Sequence, residues 1–220
     1  MKILVAIESC FKDIHKHQVQ RDTWMKDLPF MEKRFFIGNC GFSPLEDETF
    51  LGADIDDSYE GLSLKTRAIC QWAAGRDFDF VFKMDTDTVM HPKNFFLSGF
   101  GAHDYSGGFN TDCMPDSLKS RFPQRLSIDF ASGGAGYWLS KKALTIIANS
   151  DKVVSCAEDV FVAAVLREHG IQPTFNSGYR WRPGETVDKD LITLHLSSAL
   201  QKKYEPKDMY QAYEEIKRLN

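Results

Sequence analysis

The first ninety residues alternate between short apolar runs and segments with one apolar residue per helical turn. "KILVAIES" (2–9) is apolar through its middle, the pattern of a strand buried on both faces of a parallel sheet. "HKHQVQRDTWMKDL" (15–28) predicts a helix, and Pro29 stands just past its end where a breaker belongs. "KRFFIGNC" (33–40) predicts a second strand, and the acidic stretch "SPLEDETFLGADIDDSYEGL" (43–62) predicts a long loop without regular periodicity. In "LSLKTRAICQWAAG" (62–75), Leu62, Lys65, Ile69 and Trp72 recur about once per turn, and Gly75 marks the end of that helix. "FDFVFKM" (78–84) then predicts a third strand.

The order strand, helix, strand, helix, strand predicts an α/β fold: a mostly parallel, Rossmann-like sheet with right-handed crossovers, flanked by helices. Ligands of such sheets sit at the carboxyl ends of the strands. The second half is less regular. "HDYSGGFN" (103–110) predicts a short strand, and "SLKSRFPQRLSIDF" (117–130) a basic loop running into a strand. "ASGGAGYWLSKKALTIIANS" (131–150) predicts a Gly-rich turn, a strand and a helix capped by Ser140. "CAEDVFVAAVLREHG" (156–170) predicts another helix, "DLITLHLSS" (190–198) a late strand, and "EPKDMYQAYEEIKRLN" (205–220) an amphipathic helix. The expectation is one domain over 1–220, with a nucleotide-binding half (1–90) and a substrate half (91–220).

Composition narrows the function classes. The chain has 220 residues, 43% apolar and 13% aromatic, enough for a substantial core. A net charge of −4 gives no global basic field for nucleic acid, although a local basic groove stays open. The opening apolar run, Ile3 to Ile7, is too short for a signal-peptide core or a membrane span, so the expectation is a soluble, cytoplasmic chain. Five cysteines with no C-x-x-C pair point to reduced thiols and away from a zinc site.

The chemistry centres on "FKMDTDTVM" (82–90), where Asp85 and Asp87 follow the third predicted strand. Two hard carboxylates there suit Mg²⁺ or Mn²⁺. The same spacing fits the nucleophile motif of haloacid-dehalogenase-like phosphatases, with Asp85 as nucleophile. It also fits a plain helix-capping turn before Pro92. About 80 residues precede the pair, against the phosphatase reading, whose motif lies on the first strand.

Five segments occur in order: "RDTWMKD" (21–27), "LSLKTRAICQW" (62–72), "FVFKMDTDTVM" (80–90), "SIDFASGGAGYWLS" (127–140) and "AEDVF" (157–161). Together the set resembles the β-1,3-glycosyltransferases of family 31, the group of β-1,3-galactosyltransferases and Fringe enzymes. The chain departs from that pattern at Thr86 inside D-x-D, at Gly61 before the helix motif, and at Ile128, Asp129 and Ala131 where the family has Y-P-x-Y. It also shows neither the membrane anchor nor the luminal disulfides of the Golgi members, as expected of a minimal viral, phage or bacterial relative.

The resemblance implies a GT-A fold, a nucleotide-sugar donor (UDP-sugar foremost) and Mn²⁺ or Mg²⁺. It implies Asp87 as metal ligand, with Asp85 on the ribose or a metal-bound water. It adds His195, otherwise a core histidine, as a further ligand. Ala6, Ile7 and Glu8 become donor contacts at the end of the first strand, with Thr86 beside them. Arg21 is either a donor contact or one half of a structural ion pair, and Trp24 is expected in the core. Lys65 either approaches the diphosphate or pairs with a site aspartate. Gly133, Gly134 and Gly136 let the backbone approach the sugar, or form an ordinary tight turn. Asp159, with Glu158 as stand-in, becomes the general base of an inverting transfer; the alternative is a pair of helix N-terminal acids. The acceptor is expected to be a saccharide or glycan. A modified DNA base is the second candidate, because Lys119, Arg121, Arg125, Arg180 and Arg182 are basic and Tyr179 and Trp181 interleave with the last two. Outside enzymes, a silent sugar- or nucleotide-binding module remains.

Overall fold

A computed structural model describes residues 1–38, 44–52, 54–111, 128–152 and 157–219. Its main sheet has seven strands: β1 (Ile3–Glu8), β2 (Glu32–Ile37), β3 (Glu48–Phe50), β4 (Phe80–Asp85), β6 (Tyr105–Gly107), β9 (Tyr137–Ser140) and β10 (Thr174–Phe175). Their spatial order is β10-β6-β9-β4-β1-β2-β3. The β4-β1-β2-β3 side is parallel throughout, and β9 alone runs antiparallel to its neighbours β4 and β6. A smaller sheet joins β11 (Tyr179–Arg180), β12 (Thr193–His195) and β5 (Thr88–Met90), and β7 (Phe109–Thr111) pairs with β8 (Asp129–Ala131).

Strand alternation explains the layers. On β1, Val5 and Ile7 join one core with Phe82, Met84 and Trp138, while Leu4 and Ala6 join a second core with Val81 and Leu139 on the opposite face. The first core is covered by helix α7 (Pro206–Arg218) through Met209, Tyr213 and Ile216. The second is covered by α2 (Leu62–Ala74), α4 (Lys141–Ala148) and α5 (Glu158–Glu168). Fully burying a side chain such as Met209 or Ile216 contributes about 1.5–3 kcal/mol relative to leaving it exposed. Both faces of the sheet are therefore needed, which is why β1 reads as an unbroken apolar run.

Several local expectations change. The segment 15–28 holds only one α-helical turn and a half, α1 (His17–Asp22), between 3-10 turns. It breaks at Thr23, whose φ of −106° and ψ of −116° are not helical. Trp24 is nevertheless fully buried in the core. The acidic loop contains β3, which extends the sheet edge, so the strand before the aspartate pair is the fourth. The late strand ends at His195, where the short helix α6 (Leu196–Leu200) begins. Ser140 does cap α4, its hydroxyl accepting from Ala143 N at 3.2 Å. Glu205 and Asp208 form a capping box on α7. The thiols of Cys10 and Cys70 are free. No described helix is long and apolar enough to cross a membrane.

Candidate active site

Register places the acidic residues. Glu8 and Asp85 are cross-strand partners at the carboxyl ends of β1 and β4. The chain turns through Thr86 and Asp87 into β5, whose Thr88 pairs with His195 of β12. This pairing brings His195 Nε2 to 3.0 Å from Asp87 Oδ1. The Asp87 carbonyl accepts from Leu196 N at 2.9 Å, so the same turn is tied to the start of α6. Asp85, Asp87 and His195 offer ligand atoms that all lie within 4.8 Å of one another. Burial alone would raise the Asp87 carboxyl, but the His195 charge and hydrogen bonds from His195 and Ser197 bring it down to about 2. His195 moves the other way: burial opposes its proton, and Asp87 overcomes that and raises it.

The trio fits a hard divalent cation. Two carboxylates and an imidazole are donors that Mn²⁺ and Mg²⁺ sites accept. The other ring nitrogen, Nδ1, lies 2.7 Å from Ser198 Oγ, which fixes the ring and aims Nε2 at the carboxylates. The trio borders a cleft of about 360 Å³ that Glu8, Ser9, Asp57, Lys65 and Thr86 also line. A larger cavity of about 470 Å³ lies between Leu28–Met31, the short helix α3 (Pro92–Phe96) and α7, but its one carboxylate is Asp27 and it has no converging acids.

A second acidic cluster adjoins the first. Glu8, Asp85 and Glu158 also converge within 4.8 Å. Here a cation is already built in. Lys83 Nζ is 2.8 Å from Glu8 Oε2, 2.8 Å from Asp85 Oδ1, and in contact with Glu158 Oε1. Lys83 is two residues before Asp85, so both side chains leave the same face of β4, toward α2 and α5. Burial opposes the Lys83 charge, and the three carboxylates more than restore it, holding its proton firmly. Three acids against one ammonium leave an excess. Burial pushes Glu158 up to about 8, with Asp159, Glu8 and Asp85 adding to the rise and Lys83 opposing it. Glu8 is raised by burial in the same way, and its Oε1 is buried without a hydrogen-bond partner.

No family model matches the sequence, and no curated protein matches it. Solved structures do match in shape. The galactosyltransferase LgtC, solved with donor and acceptor sugar analogs, aligns with 100% of this chain and 96% of its own at a TM-score of 0.53 and 14% identity. A glycosyltransferase involved in glycosylating the major capsid of PBCV-1 aligns over 97% of this chain and 99% of its own, with a TM-score of 0.54 and 12% identity. GlyE of Streptococcus pneumoniae TIGR4 aligns over 99% of this chain, which spans 63% of GlyE, at a TM-score of 0.53 and 10% identity. The chain has the GT-A glycosyltransferase fold.

Within the GT-A frame the expected site residues separate. Glu8, Lys65, Asp85, Thr86, Asp87 and His195 meet at the cleft. Ala6 and Ile7 do not: both are fully buried, in opposite cores, because they lie on the interior of β1. Arg21 also stays away. Its guanidinium grips Asp47 through two bonds of 2.7 Å and Glu48 through one of 2.9 Å, the structural ion pair that was its alternative. Lys65 pairs with an aspartate, but with Asp57 rather than the D-x-D pair, and donates to the Ser9 carbonyl at 2.6 Å. Glu158 is engaged inside the protein: its Oε1 meets Lys83 and its Oε2 accepts from the Tyr137 hydroxyl at 2.8 Å.

Asp159 is half-buried and held by two backbone donors, Gly133 N at 3.1 Å and Val160 N at 2.9 Å. Burial raises its carboxyl against those bonds. Gly133 and Gly134 do permit close approach, but to protein groups. A Cβ on Gly133 would overlap Glu158, and one on Gly134 would lie 2.9 Å from the His195 ring. Gly136 has φ of +90° and backs onto the Phe82 ring, which makes it a turn glycine.

Of the basic and aromatic residues expected to suit DNA, Arg180, Tyr179 and Trp181 are held by local partners, and Arg182 is exposed. Arg180 binds Asp188 and the Thr186 carbonyl, each at 2.6 Å, and Trp181 Nε1 donates to the Phe109 carbonyl at 2.9 Å. Lys119, Arg121 and Arg125 lie outside the described residues. Sequence reasoning missed Lys83, although a lysine inside the apolar run "FVFKM" demands buried acidic partners.

Proposed function

We infer that the protein is a metal-dependent, inverting glycosyltransferase related to family 31, taking its sugar from a nucleotide-sugar, UDP-sugar foremost. The observation that carries this reading is the convergence of Asp85, Asp87 and His195 at the carboxyl end of β4, beside an acidic cleft in a GT-A fold. Those three residues would hold Mn²⁺ or Mg²⁺, which neutralises the charge of the departing diphosphate when bound. The five ordered sequence motifs support the same family, and the LgtC structure was solved with donor and acceptor sugar analogs.

Residues 1–90 supply most of the donor side, including Glu8 and the D-x-D turn. Residues 91–220 supply His195, Asp159 and the acceptor side. Asp159 takes the proton of an acceptor hydroxyl as that oxygen bonds to the anomeric carbon and the bond to the diphosphate oxygen breaks. Its raised carboxyl makes it a stronger base than an exposed aspartate. A saccharide or glycan is the acceptor this reading favours. A phosphatase with Asp85 as nucleophile is disfavoured, because the aspartate pair lies at the end of the fourth strand and not of the first.

Calorimetric titration with UDP and UDP-sugars, with and without Mn²⁺, tests the reading. Binding that depends on the metal is expected. Metal-independent binding, or none, would overturn it.

A further inference from the structure

Beside the D-x-D turn, a chain of three buried polar side chains ends at the cleft wall. Ser9 Oγ is 2.7 Å from His17 Nε2, and His17 Nδ1 is 2.9 Å from Glu48 Oε1. Ser9 is 4% exposed, His17 fully buried and Glu48 4% exposed, yet Ser9 lines the cleft. None of the three belongs to the motifs above.

The hydrogen-bond directions along this chain are fixed. Glu48 accepts from Arg21 Nη2 at 2.9 Å on Oε1 and from Leu45 N at 3.0 Å on Oε2, and these bonds with His17 lower its carboxyl although burial opposes them. An ionised carboxylate only accepts, so the proton between Glu48 and His17 sits on Nδ1. Burial lowers His17, stacked at 3.8 Å on the Phe35 ring, so the imidazole is neutral near pH 7. Its Nε2 is then a bare lone pair at 2.7 Å, so the Ser9 hydroxyl proton points to it and not to the Cys10 carbonyl at 3.4 Å. The backbone of Ser9 is pinned as well, its N–H to the Phe36 carbonyl at 2.9 Å and its carbonyl to Lys65.

We propose that Ser9 is an obligate hydrogen-bond acceptor in the donor cleft, held in that role by His17 and Glu48, and that it reads an N–H or O–H group of the nucleotide. The class of group is an imide N–H of the base or a hydroxyl of the ribose, both of which a diphosphate nucleoside carries. This rests on the nucleotide-sugar reading above. The triad does not make Ser9 a nucleophile: His17 is fully buried under Ser9 and against Phe35, so it cannot reach a leaving group to return a proton. His17 and Glu48 are positioning residues.

The test joins two measurements on the full chain. Nitrogen NMR of the histidines without ligand reads the tautomer: a protonated Nδ1 and bare Nε2 on His17 are expected, and a protonated Nε2 overturns the lock. Calorimetry with Mn²⁺ then compares UDP, N3-methyl-UDP, 2′-deoxy-UDP and 3′-deoxy-UDP on the native protein and on Ser9→Ala. Ser9→Ala should bind UDP about fivefold more weakly, the loss of one neutral hydrogen bond. One analogue should lose about the same factor on the native protein and nothing further on Ser9→Ala. The N3-methyl analogue doing so identifies the base, and a deoxy analogue doing so identifies the ribose. Unchanged UDP binding by Ser9→Ala, or analogue losses that persist in Ser9→Ala, overturns the proposal. If the native protein shows no metal-dependent UDP binding, the nucleotide-sugar reading fails and the ligand part of this proposal falls with it. The tautomer still decides the lock itself.

Discussion

Two acidic clusters share Asp85 and have the same compactness, yet their surroundings differ. In the first, Asp87 meets an imidazole, Asp85 reaches across to Lys83, and the group opens on the cleft. In the second, Glu8, Asp85 and Glu158 enclose the ammonium of Lys83, buried between the sheet and α5. A cation that arrives and leaves can serve a reaction. A cation fixed by a covalent tether serves the architecture, binding β1, β4 and α5 into one wall behind the site. The same contrast recurs within α5, where Glu158 is locked and its neighbour Asp159 is only half-buried. Counting acids does not separate the two clusters; only the first includes a carboxylate, Asp87, outside the reach of Lys83 and on the cleft.

The contrast on α5 carries the largest expected effect. Asp159→Asn should lower sugar transfer by about 10²–10⁴, the usual worth of a general base, and leave metal-dependent UDP binding in place. Retained transfer would remove Asp159 from its role. Next, Lys83→Met should destabilise the fold by about 3–5 kcal/mol in urea unfolding, because it strands buried carboxylates without their partner. A loss below about 1 kcal/mol would mean that the second cluster is not a structural clamp. Ser198→Ala should weaken Mn²⁺ binding by about tenfold while sparing stability, since Ser198 only orients the His195 ring.

The smallest effect is a pH slope. His17 is lowered in the fold by burial, below the ordinary histidine value of about 6.5. Just below pH 6.5 the unfolded chain takes a proton that the folded chain refuses. The His17 contribution to stability is therefore full above about pH 6.5 and is lost as pH falls below it, opposite in sign to the contribution of Glu158, whose raised carboxyl favours the fold at lower pH. His17→Gln should flatten that slope in denaturation curves collected from pH 5 to 7.

Much of this layout was legible from the chain. Apolar runs marked β1, the second half of β2 and most of β4, because strands buried on both faces are mainly apolar, with Lys83 on β4 the exception. That placed Asp85 and Asp87 at the correct end of the sheet. His195 was reached only through a family resemblance, since its approach to Asp87 depends on β12 pairing with β5 more than a hundred positions upstream. β3 escaped notice because three residues, Glu48 to Phe50, are too few to show alternation. Arg21 and Glu158 looked like cleft residues in the sequence. Their partners, Asp47 and Lys83, come from other elements, and no local pattern announces such pairs. Ala6 and Ile7 show the limit of strand-end reasoning: only the last residue of β1, Glu8, emerges at the cleft.

If one acidic cluster is open to a metal and its neighbour is closed by Lys83, the two must answer differently to Mn²⁺. The most direct test is Mn²⁺ titration, read by electron paramagnetic resonance in the presence of UDP, on the native protein, Asp87→Asn and Glu158→Gln. The account predicts a single tight Mn²⁺ site that Asp87→Asn abolishes and Glu158→Gln retains. Mn²⁺ binding that survives in Asp87→Asn, or that is lost in Glu158→Gln while the fold stays intact, would contradict it.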